Sequence, residues 1–94
     1  MYQLTIYTRP MCSDCAKLKE DLARVNISFI EKDLEQQPEQ EQVLKKKTGT
    51  RIVPGVVFKE KGILNQLKKP IVFTGYEQNE NKIQPFIQQM SKED

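Results

Sequence analysis

The residues here that could do chemistry sit close together. Cys12 and Cys15 are the chain's only cysteines, with two residues between them in the stretch YTRPMCSDC, and there is no histidine. A spacing of three puts both sulfurs one helical turn apart on the same face, within reach of each other. Such a pair can open and close a disulfide or offer two thiolates to a metal. The flanking pattern decides where the sulfurs lie. Tyr2, Leu4, Ile6 and Tyr7 form an apolar, β-prone run into Thr8-Arg9-Pro10, and a helical pattern begins after Cys12. In the order strand, short loop, C-x-x-C, helix, Cys12 meets the free N–H groups and positive dipole end of the helix. A thiolate is stabilised there, and the thiolate is the reactive form.

The elements that must hold this pair follow from periodicity. The first strand is expected over Tyr2–Tyr7. Helix one is expected over about Ser13–Val25, with Leu18, Leu22 and Val25 as its apolar stripe and Asn26 as its stop. A second strand is expected at Ile27–Ile30, continuing toward Asp33. The polar segment Glu31–Lys47 predicts a second helix, with Pro38 in its first turn, Val43 and Leu44 on its core face and Gly49 at its end. Lys45-Lys46-Lys47 reads as a solvated, dipole-complementing helix end rather than a nucleic-acid patch. Pro54 lacks an N–H and belongs at a strand entrance, with a third strand from Val56 onward. Lys59–Lys69 is a polar connection holding Ile63, Leu64 and Leu67, with room for a helical turn. A fourth strand follows at Pro70–Phe73, paired with the third as a hairpin. Gly75 marks a tight turn. Ile83, Phe86, Ile87 and Met90 predict a last helix that starts near Asn81 or kinks at Pro85. The sum is an α/β fold, β-α-β-α-β-β-α, with a four-stranded mixed sheet covered by helices on both faces.

Composition narrows the function classes. The 94 residues predict one domain over 1–94, long enough to bury a core without staples. With both cysteines in one tetrapeptide there is no disulfide framework, so the pair serves chemistry or metal. A net charge of +2 is too mild to argue for nucleic acid. No run approaches the about 18 apolar residues of a membrane span, and the expected strand leaves no room for a signal peptide. A cytoplasmic monomer is the expectation.

Three stretches, YTRPMCSDC, Thr50-Arg51-Ile52-Val53-Pro54 and Phe73-Thr74-Gly75-Tyr76, resemble the glutaredoxin family of the thioredoxin superfamily. The flavour is that of the small bacterial redoxins that reduce ribonucleotide reductase. The resemblance covers nearly the whole chain and implies a thioredoxin-like fold and a thiol–disulfide oxidoreductase acting on protein or mixed disulfides. It implies that Cys12 is the nucleophile and Cys15 the resolving partner, that Arg9 is a basic residue beside them, and that Pro54 is a cis-proline facing the disulfide. The Val53 backbone would then pair with a bound thiol or peptide. The turn Thr74-Gly75-Tyr76-Glu77 stands where the family's glutathione site usually has Gly-Gly and an acidic residue. Ser13-Asp14 replaces the common Pro-Tyr between the cysteines, and Asp14 adds a negative charge that opposes thiolate formation.

Several assignments carry two readings. Met11 is an exposed apolar partner contact or a loop residue packed on the sheet. Tyr7 and Tyr76 either flank a bound thiol or complete a strand and a turn. Glu77 either meets an ammonium group or simply faces solvent. No tightly bound cofactor is implied. The electron donor is thioredoxin reductase with NADPH, or glutathione or another low-molecular-weight thiol. The alternative function is a metal or iron–sulfur module formed on dimerisation, needing ligands beyond the two cysteines. A third reading compares the Y-T-x-P-x-C-x-x-C start with arsenate-reductase-like transcription regulators, whose extra helical insertion this length does not accommodate.

Overall fold

The computed structural model describes residues 2–62 and 68–92. The central strand β1, Tyr2–Thr8, alternates its side chains between two buried surfaces: Leu4 and Ile6 face one way, Tyr7 the other. Helix α1, Ser13–Arg24, follows. It ends in a Schellman closure, in which the N–H of Ile27 bonds the Leu22 carbonyl at 3.0 Å and that of Asn26 bonds Ala23 at 3.1 Å. Asn26 holds the left-handed φ of 57° that this closure needs.

That closure corrects the second strand. Ile27 is spent on capping α1 and filling the core beneath it, so β2 begins three residues later than expected and runs Ile30–Asp33. It pairs with β1 in parallel, Thr5 opposite Ile30. The Asp33 carboxylate then accepts the Glu35 N–H at 2.9 Å and turns the chain away from the sheet. Helix α2, Gln40–Thr48, begins just after Pro38 and ends at Gly49, where φ is 80°. Lys45, Lys46 and Lys47 are exposed in its last turn.

Strand β3, Gly55–Glu60, enters one residue ahead of Val56, directly after a cis Val53–Pro54 bond. It lies antiparallel to β1, Tyr7 opposite Gly55. Strand β4, Ile71–Thr74, pairs antiparallel with β3, and the sheet order is β2-β1-β3-β4. The helical turn envisaged around Ile63, Leu64 and Leu67 lies outside the described residues. A 3₁₀ turn, Glu77–Asn79, leads into α3, Glu80–Lys92. This helix both starts near the expected Asn81 and carries Pro85 inside, where the ring has no N–H to give the preceding turn.

Helices α1 and α3 cover one face of the sheet, where Leu18, Leu22, Ile83 and Ile87 pack on Leu4, Ile6, Val56 and Phe58. Helix α2 covers the other, where Leu44 packs with Leu34 on Tyr7 and Val57. It comes close enough that a Cβ on Gly55 would sit 2.4 Å from Leu44 Cδ1, so any larger residue there must displace the Leu44 side chain. This is the thioredoxin-like α/β architecture. The C-terminal ends of β1 and β4 and the entrance of β3 meet at one edge, which is the edge that carries the cysteines.

Candidate active site

Beyond β1 the chain crosses Arg9 and Pro10 and reaches Met11, which holds a left-handed φ of 60° and points its side chain wholly into solvent. Met11 is therefore an exposed apolar group beside Cys12 and is not packed on the sheet. Cys12 caps α1 in extended geometry, φ −102° and ψ 104°. Its carbonyl accepts the Ala16 N–H at 3.0 Å, and its sulfur accepts the Cys15 N–H at 3.1 Å. The expected meeting of sulfur and helix-start N–H is present. The two sulfurs are bonded, with Cα atoms 5.2 Å apart. They differ in access: Cys12 is half-buried and Cys15 is 2% exposed. Of the two, Cys12 is the more open to solvent.

Asp14 lies between them on the first turn of α1, and its carboxylate leaves the sulfurs for a distant turn. It accepts the Tyr76 N–H at 2.7 Å and the Glu77 N–H at 3.0 Å. Gly75, with φ 85°, makes that turn, and its own N–H bonds the Pro54 carbonyl at 2.9 Å. The Thr74 carbonyl is held from the other side by the side-chain amides of Gln78 and Asn79, at 2.9 and 2.7 Å. A shallow hollow of about 510 Å³ opens here, lined by Asp14, Ile52, Val53, Gly75, Glu77 and Gln78. The structure thus gathers Val53, Gly75 and Glu77 about the cysteine loop, with Glu77 exposed and Pro54 buried beside them.

Arg9 is engaged within the protein, with its side chain 37% exposed. Its guanidinium donates to Glu41 of α2 and, at 3.2 Å, to the Arg51 carbonyl, while Arg51 donates to the other Glu41 oxygen at 2.8 Å. Glu41 thereby clamps the loop before the cysteines to the loop before Pro54. The hydrogen bonds from Arg51 and then Arg9 hold its carboxyl down to about 2.

Tyr76 corrects the reading of its ring as a ligand contact. The side chain is 0% exposed and belongs to the core between α1 and α3. Its hydroxyl donates to Asp21 at 2.5 Å and accepts from the Gln84 amide at 3.0 Å. Burial first, and the Asp21 hydrogen bond second, push the phenol up. Tyr7 is likewise buried, which raises its phenol, and completes the strand. Asp21 is itself 5% exposed, with Arg24 at 2.5 Å and Lys17 at 3.5 Å as further partners. The Tyr76 hydroxyl, ahead of the Arg24 and Lys17 contributions, holds its carboxyl below the usual carboxylate range.

Ile52, Gln78 and Glu41 were not singled out by sequence reasoning, and Asp14 was read only as a charge near the sulfurs; the turn that Asp14 holds lies 62 and 63 residues away, and Arg9 lies 32 residues from Glu41. Asp21 had a local signal: it falls three residues after Leu18, on the buried face of α1, where an acid needs a partner. Among the described residues no three His, Cys, Asp or Glu side chains lie together as metal ligands, and no helix is long and apolar enough to cross a membrane.

Solved structures share this fold. The thioredoxin-like protein BC3987 is 22% identical, with a TM-score of 0.62 over 85% of this chain and 96% of that one. The thioredoxin of Malassezia sympodialis (Mala s 13) is 18% identical, with a TM-score of 0.61 over 96% and 77%. The glutaredoxin of Brucella melitensis is 24% identical, with a TM-score of 0.55 over 93% and 89%. No curated protein matches the chain. A family model described as glutaredoxin matches residues 4–63. That match runs from β1 through the cysteine pair to the cis-proline and β3, and by it the chain belongs to the glutaredoxin family of dithiol–disulfide oxidoreductases.

Proposed function

We propose that the chain reduces protein disulfides, of the kind ribonucleotide reductase presents, as a monomeric single domain in the cytoplasm. The observation that carries this is the unequal access of the two sulfurs together with the N–H held on Cys12. In the reduced protein the Cys12 thiolate attacks one sulfur of a substrate disulfide. The substrate S–S bond breaks, its second sulfur leaves as thiolate and takes a proton, and a mixed disulfide remains on Cys12. Cys15, deprotonated, then attacks the Cys12 sulfur. The second substrate thiol departs, and two electrons have passed to the substrate as Cys12–Cys15 closes. Exposed Met11 and Ile52 offer apolar contacts to a substrate segment, and the Val53 backbone and Gly75 turn line its path.

For the return of electrons we favour a flavoprotein thioredoxin reductase with NADPH, or a low-molecular-weight thiol other than glutathione. Two features support this. Thr74 stands where a glycine would let a tripeptide approach, and the Arg9 charge is already paired with Glu41. The experiment follows NADPH consumption with insulin as the disulfide substrate, once with thioredoxin reductase and once with glutathione and its reductase. Faster turnover with thioredoxin reductase is expected, and fast turnover in the glutathione system alone would overturn the donor assignment. Cys12→Ser should abolish turnover, and Cys15→Ser should accumulate a mixed disulfide visible by mass.

A further inference from the structure

The exchange just described leaves Asp14 without a task, yet its carboxylate is one of the most fully engaged groups at the site. Two successive backbone N–H groups, of Tyr76 and Glu77, converge on it at 2.7 and 3.0 Å. Adjacent N–H groups turned to one point form a seat for an anion, and hydrogen bonds to a carboxylate are about twice as strong as neutral ones. The seat borders the hollow lined by Asp14, Val53 and Gly75, and Asp14 adjoins Cys15 in the chain, so the body of a thiol attacking Cys12 has this surface within reach. A carboxylate on that thiol would take the seat, but the protein's own carboxylate holds it. The hollow offers an incoming anion no compensation: Glu77 repeats the negative sign, Ile52 and Val53 are apolar, and Gln78 is neutral. The two guanidiniums of the adjoining loops, Arg9 and Arg51, are paired with Glu41.

We propose that Asp14 is a specificity-determining residue: it fills the Tyr76–Glu77 anion seat from within the C-x-x-C motif and so closes the site to thiols that would dock through a carboxylate. The proposal rests on the reading that the Cys12–Cys15 disulfide exchanges with external thiols. It also gives the inter-cysteine dipeptide a role in choosing partners, separate from its electrostatic effect on the sulfurs.

The test uses the oxidised full chain as wild type, Asp14→Asn and Asp14→Ala. Each is reduced by glutathione and, separately, by glutathione diethyl ester, which lacks the carboxylate charges, with dithiothreitol as a neutral reference. Acid quenching, alkylation and mass measurement give the rates. In each reaction a first thiolate opens the disulfide at Cys12 and frees Cys15, and a second thiol releases Cys12 with formation of the oxidised reagent. The readout is the glutathione-to-ester rate ratio, from which general changes in sulfur reactivity cancel. Asp14→Ala should raise this ratio about tenfold, the scale of one charge-assisted hydrogen bond regained. Asp14→Asn, whose amide still sits in the seat without charge, should raise it about threefold. A ratio within about twofold of wild type in both variants would mean that Asp14 is only a structural tie. Where Asp14→Ala fails to fold by circular dichroism, Asp14→Asn decides alone, and no rise overturns the proposal. Failure of all three reagents to reduce the wild-type protein would instead overturn the exchange reading, and the proposal with it.

Discussion

Replacing Tyr76 by Phe removes one oxygen from the core and leaves the packing volume in place. What is lost is the part-buried acceptor of the Gln84 amide and, at greater cost, the hydrogen bond to Asp21, made at 2.5 Å between a phenol that is 0% exposed and a carboxylate that is 5% exposed. A buried carboxylate that loses a partner costs about 1.5–3 kcal/mol, more than the about 1 kcal/mol of a neutral pair. Arg24 and Lys17 compensate little, because both side chains are more than half exposed and such pairs are worth about 0–1 kcal/mol. We therefore expect Tyr76→Phe to cost about 2 kcal/mol, which for a chain of this length lowers the melting temperature by roughly 8–16 °C. The pH dependence has a definite sign. Asp21 titrates below its ordinary value of 3.8, with the Tyr76 hydrogen bond as the largest cause. Its contribution is thus complete above that value and is lost as pH falls through the folded-state value. The gap between wild type and Tyr76→Phe should be full at pH 7 and should narrow below about pH 3.8. Urea unfolding across this range measures it, and adding Asp21→Asn to both proteins isolates the pairwise energy. A gap under about 0.5 kcal/mol at pH 7, or one that stays constant into acid, would refute the reasoning.

Limiting iodoacetamide on the reduced protein at neutral pH should label Cys12 far ahead of Cys15, read by peptide mass mapping; dominant labelling of Cys15 would reverse their roles. Gly55→Ala should cost about 1–3 kcal/mol in urea unfolding, because its Cβ would fall 2.4 Å from Leu44 Cδ1. Trimming the obstacle with Leu44→Val should return part of that loss, and a double variant no more stable than Gly55→Ala would show that the clash is not the cause.

Local chemistry made much of this fold legible. Alternation marked β1, the Leu18–Leu22 spacing marked α1, and Asn26 and Gly49 sit in the left-handed conformations that end their helices. The C-x-x-C at a helix start was readable for the same reason, since its geometry is complete within one turn. Ile27 was misread because an apolar β-branched residue suits a strand and a helix closure equally, and only the hydrogen bond to Leu22 chooses. The rest of the site joins residues far apart in the chain. Asp14 meets Tyr76 across 62 residues and Asp21 meets its hydroxyl across 55, distances at which no periodic pattern carries information. The tyrosine after Gly75 carried two readings, a contact for a bound thiol or part of a turn. Its ring instead turns inward, and only its N–H remains at the site.

The burial of Cys15 also governs traffic. In the exchange proposed above, one sulfur closed to solvent leaves the protein a single berth, and partners are served in single file. In that scheme release of the bound partner is triggered from inside, by a group tethered one helical turn away whose local concentration does not fall when the solution is diluted. The lifetime of the mixed disulfide is then a property of the molecule itself, and turnover slows on dilution only through the encounters that begin each cycle.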